Sequence, residues 1–147
     1  MTQTHADRGI LTYRGVVHAW QCDHMGHLNV MHYMGKFDEA TWSLFQELGI
    51  TPSYIRELER GMAAVEQKIA YKAELLAGDA VEIRSRVLEA REKVIRFVHE
   101  MHNRETGAVA ATCESVGVHI DRRARKSCPF PEDILAKMRA AIAAAGG

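Results

Sequence analysis

The sequence lacks three features that would indicate a particular class of protein: a set of paired cysteines, an excess of charge of one sign, and a long apolar run. It has only three cysteines (Cys22, Cys113 and Cys128), an odd number without the spacing of a metal site. Their number argues against a disulfide framework and fits a reducing cytoplasm. Lys and Arg balance Asp and Glu at 19 each, so no basic field predicts nucleic acid as a partner. No apolar run approaches the roughly 18 residues that a membrane span needs, so no membrane partner is expected.

At 147 residues the chain has the length of one domain with a substantial core. Its hydrophobic and charged fractions, 47% and 26%, are those of an ordinary globular protein. No internal repeat, low-complexity linker or second domain is recognisable, so residues 1–147 are expected to form a single domain. The segment from Met1 to Gly9 is polar and unlike a secretory signal.

A long helix is predicted between Val30 and Leu48. The residues that recur at helical spacing are Val30, Met34, Phe37, Thr41, Leu44, Phe45 and Leu48. Four others widen this stripe around the helix: Met31, Tyr33, Ala40 and Trp42. Such a helix is expected to be buried on several sides. Gly49 suits the left-handed position beyond a helix end, and Thr51-Pro52 predicts a short second helix up to Arg60.

Five strands are predicted around this helix. The first runs from Ile10 to Trp20, where β-branched and aromatic residues are frequent. After Gly61 the pattern has a period of two, and tight turns such as Gly78-Asp79 and Thr106-Gly107 separate four strands, the last ending near Ile120. Connections this short join antiparallel neighbours. The prediction is therefore an α+β fold, in which a curved antiparallel sheet wraps around one long central helix.

Between the first strand and the long helix lies the segment Asp23-His24-Met25-Gly26-His27-Leu28-Asn29. It offers one carboxylate, two imidazoles, an amide and a glycine, none of which a packed core requires at this place. The start of the following helix presents free backbone N–H groups and the positive end of the helix dipole. Hydrolysis needs a nucleophile or base and a donor for the oxyanion, so this juxtaposition predicts an enzyme.

The order of strand, Asp-containing loop, long helix and four antiparallel strands resembles the hotdog fold. Cys22-Asp23-x-x-Gly26, followed by Tyr33 and the acid Asp38, resembles the 4-hydroxybenzoyl-CoA thioesterase branch of the acyl-CoA thioesterases. The resemblance covers Val16 to Ile134. It implies hydrolysis of a thioester on coenzyme A or a carrier protein by a homodimer or homotetramer. The resemblance also implies active sites at the subunit interface, and no cofactor is expected.

The Asp23 loop differs from the 4-hydroxybenzoyl-CoA branch at His27 and from the acyl-acyl-carrier-protein branch at Met25. His27 matches the histidine of acyl-acyl-carrier-protein thioesterases, whereas the 4-hydroxybenzoyl branch has an apolar residue there. The carrier-protein branch in turn has an asparagine where this chain has Met25. The pattern from Gly26 to Val30, with Arg122-Arg123 and Pro129-Phe130-Pro131, is also similar to thioesterases of carnitine and betainyl-CoA metabolism. Coenzyme A and a carrier protein therefore both stay open as the acyl carrier.

The resemblance implies a role for each residue of the loop. Asp23 is expected to be the catalytic carboxylate, as nucleophile or as general base, and the backbone N–H near Val30 is expected to polarise the thioester carbonyl. His27 either relays a proton or hydrogen-bonds the loop backbone. Asn29 is expected to cap the helix and can also present its amide to a carbonyl. Gly26 provides a positive φ angle or a close approach for substrate.

Residues outside the loop complete the predicted site. Tyr33 is expected in the pocket wall and Asp38 in a supporting role, while Arg123 lies in a basic run that either binds coenzyme A phosphates or is solvated surface. Three alternatives stay open: Asp23 only stabilises its loop, the fold binds acyl groups without catalysis, or a metal is held by Cys22, His24, His27 and His32. The spacing of these four matches no familiar metal site. The leading hypothesis is a cytoplasmic, oligomeric acyl-CoA thioesterase without a metal.

Overall fold

The computed structural model describes residues 9–146, so the polar segment predicted at the N-terminus lies, up to residue 8, outside the described residues. The elements in chain order are β1 (Ile10–Val16), a short 3-10 helix (Ala19–Gln21), α1 (Val30–Glu47), α2 (Pro52–Leu58), β2 (Arg60–Tyr71), β3 (Ala80–Ala90), β4 (Val94–Asn103), β5 (Val109–Asp121), β6 (Lys126–Ser127) and α3 (Glu132–Gly146). In the part of the chain that the structure describes, no helix has the length and hydropathy to cross a membrane.

The strands form one curled antiparallel sheet in the order β1-β3-β4-β5-β2, and the short β6 pairs with β5. Every pairing is antiparallel. The short connections β3–β4 and β4–β5 join neighbours as predicted, whereas β2, which the Gly78-Asp79 turn was expected to place beside β3, pairs with β5 instead. Strand β3 shows the predicted alternation, with Val81, Ile83, Ser85 and Val87 buried. Strand β2 lies at one edge, and most of its side chains are exposed.

Helix α1 begins at the predicted Val30 and ends at Glu47, one residue before the predicted Leu48, because both of its ends carry strong local signals. The Asn29 side chain accepts a hydrogen bond from the Met31 amide at 2.9 Å and caps the start. At the other end Gly49 adopts φ +91°, the left-handed conformation that glycine tolerates best. The helix therefore lies across the sheet with its N-terminus directly after the Asp23 loop.

The core consists of two clusters of buried side chains along α1. The first half of the helix contributes Tyr33, Phe37 and Ala40 to a cluster with residues of β3, β4 and β5. The second half contributes Leu44 and Phe45 to a cluster that also takes in α3. Together the two clusters place the helix against the inner face of the curled sheet, which is the predicted arrangement.

Three expectations about the elements are corrected by the structure. The first strand ends at Val16 rather than Trp20, because the chain turns into the 3-10 helix. The short second helix ends at Leu58, since Glu59 takes a left-handed φ of 52° and Arg60 already begins β2. The helix α1 is not covered on several sides within one chain, because Met31 and Trp42 are 67% and 47% exposed.

Candidate active site

The Asp23 loop is closed at its base by backbone hydrogen bonds. Cys22 and Leu28 form an antiparallel bridge, and the Asn29 amide donates to the Gln21 carbonyl at 2.9 Å. Within the loop the Asp23 amide donates to the His27 carbonyl at 3.0 Å. Gly26 has φ +89°, a conformation that costs most other residues free energy. The loop is therefore a small hairpin-like ring attached to the start of α1.

The Asp23 carboxylate is half-buried and points back toward the helix start. Its Oδ1 accepts from the Met25 amide at 2.9 Å, and its Oδ2 accepts from the Asn29 side-chain amide at 3.4 Å. The same Asn29 caps α1 through its Oδ1. One side chain thus connects the carboxylate to the positive end of the helix dipole.

The first amides of α1 differ in how they are used. The Asn29 side chain accepts a hydrogen bond from the Met31 amide at 2.9 Å, and the Asn29 carbonyl accepts one from the His32 amide at 3.0 Å. Among the hydrogen bonds of the described residues, none begins at the Val30 amide with a loop or side-chain acceptor. The first N–H groups of a helix have no intrahelical partner, so the Val30 amide is free to donate to a bound oxygen.

A groove of about 280 Å³ runs beside the helix start. The residues that line it are His27, Leu28, Val30, Tyr33, Tyr71, Lys72, Ala73 and Glu74. Three residues predicted for the site, His27, Val30 and Tyr33, therefore share one groove. Asp23, Gly26 and Asn29 lie in the adjoining loop.

Two side chains of this groove have defined surroundings. Tyr33 is buried and contacts Tyr71 edge-to-face, with ring centroids 5.1 Å apart. Burial raises the pKa of Tyr33, and the nearby Tyr71 and Glu74 raise it further, so its phenol stays protonated near neutral pH. His27 places Nε2 3.9 Å from the exposed carboxylate of Glu74. Tyr33 is thus a neutral wall of the groove, and His27 is an ionisable group at its rim.

Arg123 lies far from this groove within one chain. It follows β5 and lines a separate surface depression with Arg56, Glu59 and Arg122. That depression is next to the Arg60 end of β2, whereas the groove is next to the Tyr71 end. The two ends of a strand of this length are about 36 Å apart. The chain by itself does not bring Arg123 to the Asp23 site.

The basic run contains one arginine with a structural role. Arg122 donates from Nε to the Arg60 carbonyl at 2.9 Å and from Nη2 to the Ile55 carbonyl at 2.8 Å. These bonds fasten the β5–β6 turn to the end of α2. Arg123 makes no comparable side-chain bond among the described residues, so its guanidinium remains available to an anion.

The residues considered for a metal site do not converge. His32 places its ring edge-on against Trp20, with centroids 5.3 Å apart, and the Cys22 thiol donates to the His18 carbonyl. Across residues 9–146, no group of three or more His, Cys, Asp or Glu side chains is arranged to hold a metal ion.

Sequence reasoning missed the buried histidines His99, His102 and His119, of which the first and the last face the core. His99 and His119 are fully buried on the inner face of the sheet. His99 contacts Ser85 and Thr41 through its two ring nitrogens, and burial lowers its pKa to about 3. His119 contacts Tyr54 and the Cys128 carbonyl, and burial is the main cause that lowers its pKa. The alternation of β4 and β5 offered a signal, because both histidines occupy inward positions.

A family model described as the thioesterase-like superfamily matches residues 17–138. The chain belongs to this superfamily. Its curled sheet around a central helix is the hotdog fold that the resemblance implies. A Staphylococcus aureus protein solved in complex with CoA has the same fold, with a TM-score of 0.86 at 19% identity over 93% of this chain and 87% of that one.

Two relatives of this chain are named as thioesterases. An L-carnitine dehydrogenase/betainyl-CoA thioesterase of Rhizobium meliloti (strain 1021) is 31% identical over 121 residues, which are 82% of this chain and 24% of the relative. A betainyl-CoA thioesterase of Pseudomonas aeruginosa is 24% identical over 131 residues, 89% of this chain and 82% of the relative. The chain thus spans about a quarter of the length of the first relative and most of the second.

Proposed function

We propose that this chain hydrolyses the thioester of an acyl-CoA to a free acid and coenzyme A. Asp23 is the catalytic carboxylate, and the first free amide of α1, that of Val30, donates to the thioester carbonyl. The observation that carries the proposal is the double role of Asn29, which caps α1 and donates to Asp23 Oδ2 at 3.4 Å. Asn29 thereby holds the carboxylate close to the electropositive helix start, which supports a role for both at one thioester carbonyl.

Two routes fit this arrangement. In the nucleophilic route an Asp23 oxygen bonds to the acyl carbon, the C–S bond breaks, and coenzyme A leaves as a thiolate that takes up a proton. Water then cleaves the resulting anhydride and regenerates the carboxylate. In the general-base route Asp23 takes a proton from the water that attacks the carbonyl directly. In both, negative charge develops on the carbonyl oxygen, where a helix-start amide stabilises it.

His27 and Tyr33 have supporting roles in this proposal. His27 lies at the groove rim, where its imidazole can pass a proton between bulk water and the leaving group. Tyr33 forms the apolar wall that excludes water from the thioester. Gly26 keeps the loop in its tight turn and holds Asp23 in place.

We also propose that the active unit is a homodimer, or a tetramer of such dimers, formed through β2. This edge strand exposes Val65 at 60% of its surface, and Val30 and Met31 at the nearby helix start are as exposed. Unpaired strand edges and apolar patches of this kind are where second copies bind. Two copies of β2 paired antiparallel about a twofold axis would bring the Arg60 end of one to the Tyr71 end of the other. Arg123 of the partner subunit would then reach coenzyme A phosphates.

The remaining parts of the proposal concern the cellular compartment, the extent of the catalytic domain and the first substrate to assay. We place the protein in the cytoplasm, in keeping with three free cysteines among the described residues. Residues 1–147 act as one catalytic domain that requires no cofactor. Betainyl-CoA, which the names of the relatives contain, is the first substrate to assay, before acyl-carrier-protein thioesters.

The test is thiol release from a panel of acyl-CoA substrates by the wild-type chain and by Asp23→Asn. The substitution keeps the shape and the acceptor for the Met25 amide but removes the charge, so kcat should fall by about 100-fold or more. The matched control is Asp79→Asn, because Asp79 also accepts a backbone amide in a tight turn, that of Leu76 at 2.8 Å. It should keep wild-type activity.

Two outcomes would overturn the proposal. Equal activity of Asp23→Asn and the wild type would remove Asp23 from the reaction. Tight binding of acyl-CoA without any release of thiol would instead identify an acyl-binding protein on the same fold.

A further inference from the structure

One lysine of helix α1 is buried without a carboxylate partner. Lys36 is only 3% exposed, and among the described residues it forms no ion pair. An ammonium that is removed from water without a counter-charge destabilises the folded state, and an apolar side chain of similar volume would avoid that penalty. Residues that are retained at such a cost are expected at functional sites.

The contacts of Lys36 join three elements at one nitrogen atom. Its Nζ donates to the Tyr13 hydroxyl of β1 at 3.0 Å and lies 3.5 Å from Gln21 Oε1 in the 3-10 helix. The same Gln21 oxygen accepts from the His18 amide at 2.9 Å. Lys36 therefore contacts the side chain that fixes the 3-10 helix directly before the Asp23 loop.

The sequence of β1 provides the room that this arrangement needs. A Cβ atom on Gly15 would lie 2.7 Å from Cζ of the Tyr13 ring, which is closer than non-bonded atoms approach. Any larger residue at Gly15 would displace the ring, and with it the hydroxyl that accepts from Lys36. The tyrosine, the glycine and the lysine thus form one local arrangement.

Gln21 connects this arrangement to the carboxylate of the site. The Gln21 backbone carbonyl accepts from the Asn29 amide at 2.9 Å, and the Asn29 side chain donates to Asp23 Oδ2 at 3.4 Å. Asn29 precedes α1 directly, and Lys36 lies within it. The helix therefore holds the Asp23 loop twice, at its downstream end through Asn29 and at its upstream end through Gln21.

We propose that Lys36 is a positioning residue of the thioesterase reaction, which holds Gln21 and thereby keeps the Asp23 loop in place against the start of α1. This inference rests on the proposed function. Lys36 does not line the groove beside the helix start, so it acts on the geometry of the site rather than on substrate binding. Such precision matters because a displacement of about 1 Å can lower a rate by about 100-fold.

The experiment measures kcat and KM for thiol release, and the urea midpoint of unfolding, for the full chain and for Lys36→Met. The substrate is the member of the acyl-CoA panel that the wild type hydrolyses fastest. Methionine is similar in size to lysine and has no donor, and Gln21 Oε1 keeps its hydrogen bond from the His18 amide. The matched control is Lys137→Met, the same exchange at an exposed position of α3.

In Lys36→Met, kcat should fall by about tenfold or more because the carboxylate is less well placed. KM should stay within about twofold of the wild type, since the groove is unchanged. The urea midpoint should stay the same or rise, because the buried charge is gone. A side chain with a merely structural role would lower the midpoint instead. Lys137→Met should keep all three wild-type values.

A double-mutant cycle tests the route through Gln21. In the background of Gln21→Met, the further exchange Lys36→Met should lower kcat by less than about threefold, because the contact is already absent. Tyr13→Phe keeps the ring, removes the acceptor of Lys36 and should lower kcat by about threefold with KM unchanged. It takes the place of Lys36→Met if that variant does not fold.

An unchanged kcat in Lys36→Met, or in Tyr13→Phe where it takes that place, would overturn this inference and leave the thioesterase proposal intact. A lower kcat together with a lower urea midpoint would also overturn it, because the lysine would then only stabilise the fold. The same holds if the full effect persists in Gln21→Met. If the wild type hydrolyses no member of the panel, the thioesterase proposal is refuted, and the inference with it.

Discussion

The buried imidazole of His99 makes the stability of this protein depend on pH. The Thr41 hydroxyl donates to the Phe37 carbonyl at 3.0 Å, so its oxygen accepts from His99 Nε2–H at 2.8 Å. The Ser85 hydroxyl then donates to Nδ1 at 2.5 Å. Both ring nitrogens are satisfied in one neutral tautomer, and none of these partners is a carboxylate that would stabilise the protonated ring.

The size of the effect follows from the pKa of this ring. Burial lowers the pKa of His99 from 6.5 to about 3 in the folded state. In the unfolded chain the ring takes up a proton as the pH falls below about 6.5, while the folded state stays neutral, so acid favours unfolding. Above about pH 6.5 the ring is neutral in both states, so its titration does not change the free energy of unfolding. Below that pH the free energy of unfolding falls progressively until the pH approaches 3. From pH 7 to pH 5 the expected loss is about 2 kcal/mol.

The assay is urea unfolding at the two pH values for the wild type and for His99→Gln. The variant loses hydrogen bonds and ring contacts and should be less stable at pH 7 by about 1–3 kcal/mol. Its further loss between pH 7 and pH 5 should be smaller than that of the wild type by about 2 kcal/mol, since other titrating groups contribute equally to both. In the matched control Thr41→Val the hydrogen bond to Nε2 is lost but the imidazole remains, so the pH dependence of the wild type should persist.

Parallel pH dependences of the wild type and His99→Gln would refute this reasoning. They would mean that the ring is protonated in the folded state as readily as in the unfolded chain.

Two further predictions concern the site and the interface. Asn29→Ala should lower the free energy of unfolding by about 1 kcal/mol through loss of the helix cap, while Asn29→Ser keeps the cap. Both remove the donor to Asp23, so thiol-release rates should fall in both; full activity of the serine variant would show that this donor is dispensable. Val65→Arg places a charge on the exposed edge of β2 and should yield inactive monomers in sedimentation experiments. A fully active monomer would contradict a site shared between subunits.

The parts of the fold that could be predicted are those with local signals. Helix α1 begins at the predicted residue because Asn29 precedes an apolar stripe, and Gly49 marks its end. The alternation of β3 predicts its buried face correctly. The Asp23 loop was recognisable because its polar residues have no role in a core, and the structure joins two of them, Asp23 and Asn29, by a hydrogen bond at the start of α1.

The parts that were mispredicted depend on what covers a surface. An apolar side chain such as Trp42 indicates burial but not whether the same chain or a second copy provides it, so the prediction of a helix covered on several sides failed for the single chain. Lys36 is the reverse case. A lysine in a helix is ordinarily exposed, yet this one is buried and donates to the Tyr13 hydroxyl at 3.0 Å, a partner 23 residues away that no spacing rule reveals.

The closed base of the Asp23 loop has a consequence for how such a site can diverge. The Cys22–Leu28 bridge and the bond from the Asn29 amide to the Gln21 carbonyl hold both ends of the ring, and its tip at His24, Met25 and Gly26 is exposed to solvent. Side chains exchanged at His24 or Met25 would leave the backbone amide that holds Asp23 Oδ1 and the helix entrance where they are. The tip is therefore a place where mutation can alter substrate choice while the reacting groups and the stability of the domain are preserved.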